Sequence, residues 1–104
     1  ILDSIFPDPG PGRLVYHQFV VCVDDRDRFR AYLADNGVET AVHYPVAPHR
    51  QPCYANRYAE FSLPVAERLA AQVVSLPISP ACTSVDDAKA ISAIINDYIP
   101  RVEK

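Results

Sequence analysis

Proline decides where regular structure can form in this chain. Ten are spread over 104 residues; each fixes φ and withholds a backbone donor, so prolines bound elements rather than sit inside them. The Pro- and Gly-rich stretch from Ile5 to Arg13 holds neither helix nor inner strand. Pro45 and Pro77 each end an expected strand, Pro64 suits the first turn of a helix, and Pro100 bounds the last one.

Between these stops the side-chain periods are readable. Tyr16 to Val23 reads as a strand, because Phe19, Val20, Val21 and Val23 favour the pleated conformation. Asp24 or Asp25 caps a helix from about Arg26 to Asn36, with Phe29, Tyr32 and Leu33 on one stripe. Asn36-Gly37 stops it, and Val38 to His43 returns to strand. The middle is irregular through Phe61, with room for helical turns between Gln51 and Tyr58. A short helix over Pro64 to Ala71 precedes a strand over Val73 to Leu76. Ser84 then caps a final helix, with Asp87 in box position and Val85, Ala88, Ile91, Ile95 and Tyr98 on one face.

The expected fold class is therefore α/β: a small two-layer sandwich of three short strands with helices packed on one face. Residues 1–15 read as a linker from a missing upstream domain, and 16–104 as the folded domain. A domain of this size buries only about 60–65% of its unfolded surface. Its uncovered sheet face thus calls for a neighbouring domain or subunit.

Composition removes several function classes. A hydrophobic share of 49% supports a core. A net charge of -3 with scattered basic residues lacks the positive stripe that nucleic acid demands. Apolar runs are broken by charge before spanning length, and no secretory pattern opens the chain, so neither membrane nor export is indicated and the cytoplasm is the expected location. Cys22, Cys53 and Cys82 are odd in number and widely spaced. They suggest neither a zinc knuckle nor a disulfide framework; two are expected in apolar packing, with Cys53 partly exposed.

The functional signal lies in Thr40 to Tyr54, T-A-V-H-Y-P-V-A-P-H-R-Q-P-C-Y. It places His43, Tyr44, His49, Arg50, Gln51 and Tyr54 in one loop stiffened by Pro45, Pro48 and Pro52. Near-neutral imidazoles donate to phosphate or sugar oxygens at lower desolvation cost than lysine. Arg50 offers a fork suited to phosphate, and Tyr44 a hydroxyl and a ring face. His17 stands at the start of the first strand. A structural reading stays open beside this one, with His43 capping the strand edge and His49 an ordinary surface group.

The histidine spacing fits no zinc pattern. No serine sits in a Gly-x-Ser-x-Gly elbow, and Gly10, Gly12 and Gly37 build no phosphate cradle. Arg26, Asp27, Arg28 and Arg30 read as a solvated helix face. Taken from the residues alone, the loop is one part of a ligand site whose chemistry lies elsewhere.

Four runs taken in order carry a resemblance: Tyr16-His17-Gln18-Phe19-Val20-Val21; Gly37-Val38-Glu39-Thr40; His43-Tyr44-Pro45-Val46-Ala47-Pro48-His49 with Gln51-Pro52-Cys53-Tyr54; and Leu63-Pro64-Val65-Ala66-Glu67 leading to Leu76-Pro77-Ile78. Over essentially its whole length the chain resembles the carboxy-terminal domain of the DegT/DnrJ/EryC1/StrS aminotransferases, pyridoxal-phosphate-dependent enzymes acting on nucleotide-linked sugars. The Tyr-His-Gln-Phe and Val-Ala-Pro-His versions look most like enzymes that aminate the 3-keto group of a dTDP-linked 6-deoxysugar.

The resemblance implies a homodimer of the aspartate-aminotransferase fold, whose large PLP-binding domain precedes this small one. It also implies glutamate as amino donor and a keto nucleotide sugar as acceptor. His17, His43, Tyr44 and His49 match loop positions on the sugar and diphosphate side of the site, with Gln51 and Tyr54 as further substrate-binding candidates.

The sequence departs from the complete enzyme in one respect. Transamination needs a lysine to carry the cofactor and move a proton, and this chain has only Lys89 and Lys104, neither near the polar loop. It is thus expected to be catalytically incomplete alone, with no catalytic residue of its own and no PLP bound. The competing expectation is a stand-alone small-ligand-binding or regulatory α/β domain.

Overall fold

The fold was obtained as a computed structural model, which describes residues 3–4, 10–12, 15–79 and 81–102. Its elements run β1 (Asp3–Ser4), β2 (Phe19–Cys22), α1 (Arg26–Asp35), two 3-10 turns (Pro48–Arg50 and Pro52–Tyr54), α2 (Pro64–Gln72), β3 (Val73–Leu76) and α3 (Val85–Val102). The sheet is antiparallel in the order β1-β2-β3, with Phe19 opposite Leu76 and Cys22 opposite Val73.

The strand expected over Val38 to His43 contracts to one bridge between Ala41 and Ser75. Its backbone bonds explain why. Val38 N–H is taken by Leu33 O at 2.9 Å to close the preceding helix, and Pro45 has no N–H to continue a ladder. Of the segment read as a linker, Asp3–Ser4 pairs with β2 and residues 10–12 form a turn. Residues 1, 2, 5–9, 13 and 14 lie outside the described residues, as does Lys104.

Caps set the helix limits. Asp25 caps α1 by accepting from Arg28 N at 3.2 Å. At the other end Gly37 takes φ 78°, its N–H bonding Ala34 O at 2.9 Å, while Val38 folds back to Leu33. This closure needs a residue at ease with positive φ, which glycine supplies. At the start of α3, Ser84 Oγ accepts from Asp87 N at 3.1 Å and Asp87 Oδ2 accepts from Ser84 N at 2.8 Å. The Ser84 N–H, and after it the Ser84 hydroxyl donating to the same Oδ2 at 2.7 Å, hold the Asp87 carboxyl below its usual range. α3 runs on through Pro100 to Val102 rather than stopping there. A proline near a helix end forgoes one hydrogen bond without dismantling the turns before it.

Strand alternation assigns the two sheet faces. Val23 and Val74 pack with Phe29, Leu33, Val38 and Tyr98, joined by Ile91, Ile94 and Ile95 of α3. Val20, Cys22 and Val73 pack on the opposite side with Val42 and Leu69 of α2. Helices therefore cover both faces, not one: α1 and α3 on the first, α2 on the second. The reason is local. α2 passes straight into β3 with Val73 as its C-cap, so the helix folds against the face that Val73 presents.

Two expectations about charge and sulfur also change. Arg26 donates to Ala70 O of α2, and Arg30 Nε donates to Thr40 Oγ1 at 3.0 Å, so these two arginines bind elements together. Cys22 is buried, whereas both Cys53 and Cys82 are exposed; all three are free thiols.

Candidate functional site

Beside the Ala41–Ser75 bridge a cleft of about 370 Å³ opens. His17, Gln18, Glu39, Thr40, His43 and Ser75 supply its polar wall, and Leu76-Pro77-Ile78 its apolar one. His43 Nδ1 lies 2.8 Å from Ser75 Oγ, which fixes the ring. Tyr44 sets its ring edge against His43, centroids 5.4 Å apart, and is itself 69% exposed. Here the fold brings together His17 and His43, with Tyr44 packed against His43.

His49 sits elsewhere and points inward. It is 8% exposed, and its Nε2 donates to Glu67 Oε1 at 2.8 Å. The same oxygen accepts from Arg50 Nη2 at 3.2 Å and from Leu63 N at 3.3 Å. Together these donors, His49 foremost, hold the Glu67 carboxyl below its ordinary range. Arg50, expected to offer its fork to a phosphate, spends it internally: Nη1 on Ala59 O at 3.1 Å and Nη2 on Phe61 O at 3.0 Å. Gln51 is likewise turned to its own loop, Nε2 donating to Val46 O at 3.3 Å.

Tyr54 lines a second hollow of about 290 Å³ with Pro48, His49, Tyr58, Phe61 and Leu63. Tyr58 ties it together, its ring 5.6 Å from Tyr54 and 5.5 Å from Phe61. The loop residues thus divide. His17 and His43 line the polar cleft with Tyr44 against His43, Tyr54 belongs to the aromatic hollow, and His49, Arg50 and Gln51 fasten the loop.

Two residues central to this arrangement were not singled out from sequence. Ser75 did carry a signal, as the one polar residue in the run Val-Val-Ser-Leu. Glu67 closes the Leu63-Pro64-Val65-Ala66-Glu67 run and stands in the first turn of α2, which gave it no assigned role.

Among the described residues no group of three or more His, Cys, Asp and Glu side chains converges as metal ligands would. No helix among them is long and apolar enough to cross a membrane.

The pattern of the DegT/DnrJ/EryC1/StrS aminotransferase family matches residues 4–96. The chain belongs to that family. It is 40% identical over 80 residues to the dTDP-3-amino-3,6-dideoxy-alpha-D-galactopyranose transaminase of Aneurinibacillus thermoaerophilus, covering 77% of this chain and 22% of that protein. To the dTDP-3-amino-3,4,6-trideoxy-alpha-D-glucose transaminase of Streptomyces venezuelae it is 39% identical over 99 residues, covering 94% and 25%.

Among solved structures it is similar to S. venezuelae DesV in complex with a ketimine intermediate, with a TM-score of 0.80 and 35% identity over 93% of this chain and 26% of that one. It is also similar to the aminotransferase TlmJ of Streptoalloteichus hindustanus, with a TM-score of 0.80 and 29% identity over 99% and 27%. The chain spans about a quarter of the length of these relatives.

The family's cofactor, PLP, requires a lysine that forms a covalent link to it. Lys89 is an exposed residue of α3, and no lysine lines the cleft among the described residues. The described residues do not fit PLP.

Proposed function

We propose that this chain supplies the small-domain wall of a nucleotide-sugar aminotransferase site and does not complete the reaction alone. The observation that carries this reading is the cleft in which His17 and His43 stand together, with His43 held by Ser75. The imidazole N–H groups and the exposed Tyr44 hydroxyl suit the oxygens of a sugar diphosphate. The relatives named above, both transaminases of dTDP-linked deoxysugars, favour a dTDP-linked 3-keto-6-deoxysugar as acceptor. Glutamate serves as donor in this reading, and PLP is held by residues outside these 104. The working enzyme is a cytoplasmic homodimer of the aspartate-aminotransferase fold, with this domain the smaller of two α/β layers. His17, His43 and Tyr44 bind substrate, Tyr54 contributes through the aromatic hollow, and His49 and Gln51 act by holding the loop.

Two measurements on the 104-residue chain test this. Adding PLP and glutamate should give neither turnover nor a lysine-dependent change in the absorbance of PLP; turnover would sink the proposal. Titration with a dTDP-sugar, followed by NMR, should give weak shifts confined to His17, His43 and Tyr44. Tight unaided binding would instead favour a self-sufficient binding domain.

A further inference from the structure

Ser75 is a buried polar residue in an apolar strand, 6% exposed between Val74 and Leu76. Its main chain is committed to Ala41: its N–H donates to Ala41 O at 2.8 Å and its carbonyl accepts from Ala41 N at 3.1 Å. The hydroxyl is the remaining polar group, and it lies 2.8 Å from His43 Nδ1. A buried hydroxyl proton needs an acceptor. Among the described residues Nδ1 is the partner recorded for it. When the hydroxyl donates there, the neutral ring must carry its own proton on Nε2.

Resting on the reading of the cleft as a nucleotide-sugar site, we infer that Ser75 is a positioning residue that holds His43 in the Nε2–H form. The cleft then presents a fixed hydrogen-bond donor at this point. It matches an acceptor oxygen of the ligand, whether hydroxyl, carbonyl or phosphate, and disfavours a donor group in the same place. The Ala41–Ser75 bridge makes the arrangement rigid, because it fixes the strand position of Ser75 and the start of the loop bearing His43 through one pair of backbone bonds. Tyr44, edge-on to the imidazole, limits its tilt.

The test uses two near-isosteric substitutions in the whole chain, S75T, which keeps a hydroxyl, and S75V, which lacks one. Ring-nitrogen NMR at about pH 8, where an ordinary imidazole is neutral, reads the protonation pattern directly. Wild type and S75T should show His43 as the Nε2–H form with Nδ1 shifted as a hydrogen-bond acceptor. In S75V the Nδ1 resonance should move to its unbonded position and the Nδ1–H form should gain population.

An Nδ1–H pattern in wild type, or identical His43 signals in S75T and S75V, would overturn the inference. If S75V does not fold, the wild-type and S75T spectra still decide. Titration of wild type with a dTDP-sugar separates this inference from the functional reading. A correct ring pattern with no shift at His43 or His17 leaves the role of Ser75 standing and removes the proposed ligand.

Discussion

Glu67 Oε1 lies 2.8 Å from Nε2 of His49, and this contact joins the proline loop to the first turn of α2. The same oxygen receives Arg50 and the backbone of Leu63, so three donors from two segments meet on one atom. A carboxylate oxygen accepts from all three and donates to none.

Replacing Glu67 by alanine should therefore loosen the loop more than the helix. His49 is buried, and its Nε2–H would lose its partner. Hydrogen exchange should accelerate at the amides of Tyr54 to Phe61, and the melting temperature should fall by several degrees. E67Q, which keeps one acceptor oxygen, should lie between wild type and E67A. Unchanged exchange in E67A would show that the contact holds nothing.

The same carboxylate makes stability depend on acid pH. The native Glu67 holds its proton less tightly than an ordinary carboxyl of pKa 4.5, and Asp87 less tightly than one of 3.8. Between folded and unfolded values the unfolded chain binds more protons, so stability rises with pH through that window. The contribution is fully present above the unfolded pKa and is lost as pH falls through the folded one. Urea unfolding at a series of pH values should show wild type and E67Q converging in acid and separating above about pH 5. A constant gap between them would contradict this origin.

Phe29 is fully buried, at 0% exposure, with its ring edge-on to Tyr98 at 5.1 Å. F29A should cost about 3–5 kcal/mol, which is much of the stability of a small domain. V85A, at a position 72% exposed, should stay within about 0.5 kcal/mol of wild type. Equilibrium urea unfolding compares them.

Gly37 tests backbone geometry apart from packing. A Cβ built there meets nothing within 4 Å, yet φ is +78°. G37A should consequently lose about 1 kcal/mol through conformation alone. A neutral result would mean that the helix end can close in another way.

What could be read from sequence was what local chemistry determines. The β3 limits, the Asp25 cap, the Gly37 stop and the Ser84–Asp87 box all depend on neighbours within a few residues. The strand over 38–43 was not legible as a single bridge, because its donors and acceptors are claimed by Leu33 and Ser75. Sequence placed His43, Tyr44, His49, Arg50, Gln51 and Tyr54 in one loop. It could not show that His49 turns inward or that Arg50 bonds Glu67, since that partner is 17 or more residues away in sequence. Likewise the 32-residue separation of His43 and Ser75 hides the contact that orients the imidazole.

No connecting turn separates α2 from β3, so Glu67 and Ser75 ride on a single continuous rail. Each grips the polar loop at a different point. The loop is consequently clamped like a jaw bolted in two places, and it cannot swing as a flap while both bolts hold. If a ligand is enclosed against this surface, the closing stroke must come from the whole unit tilting as one piece.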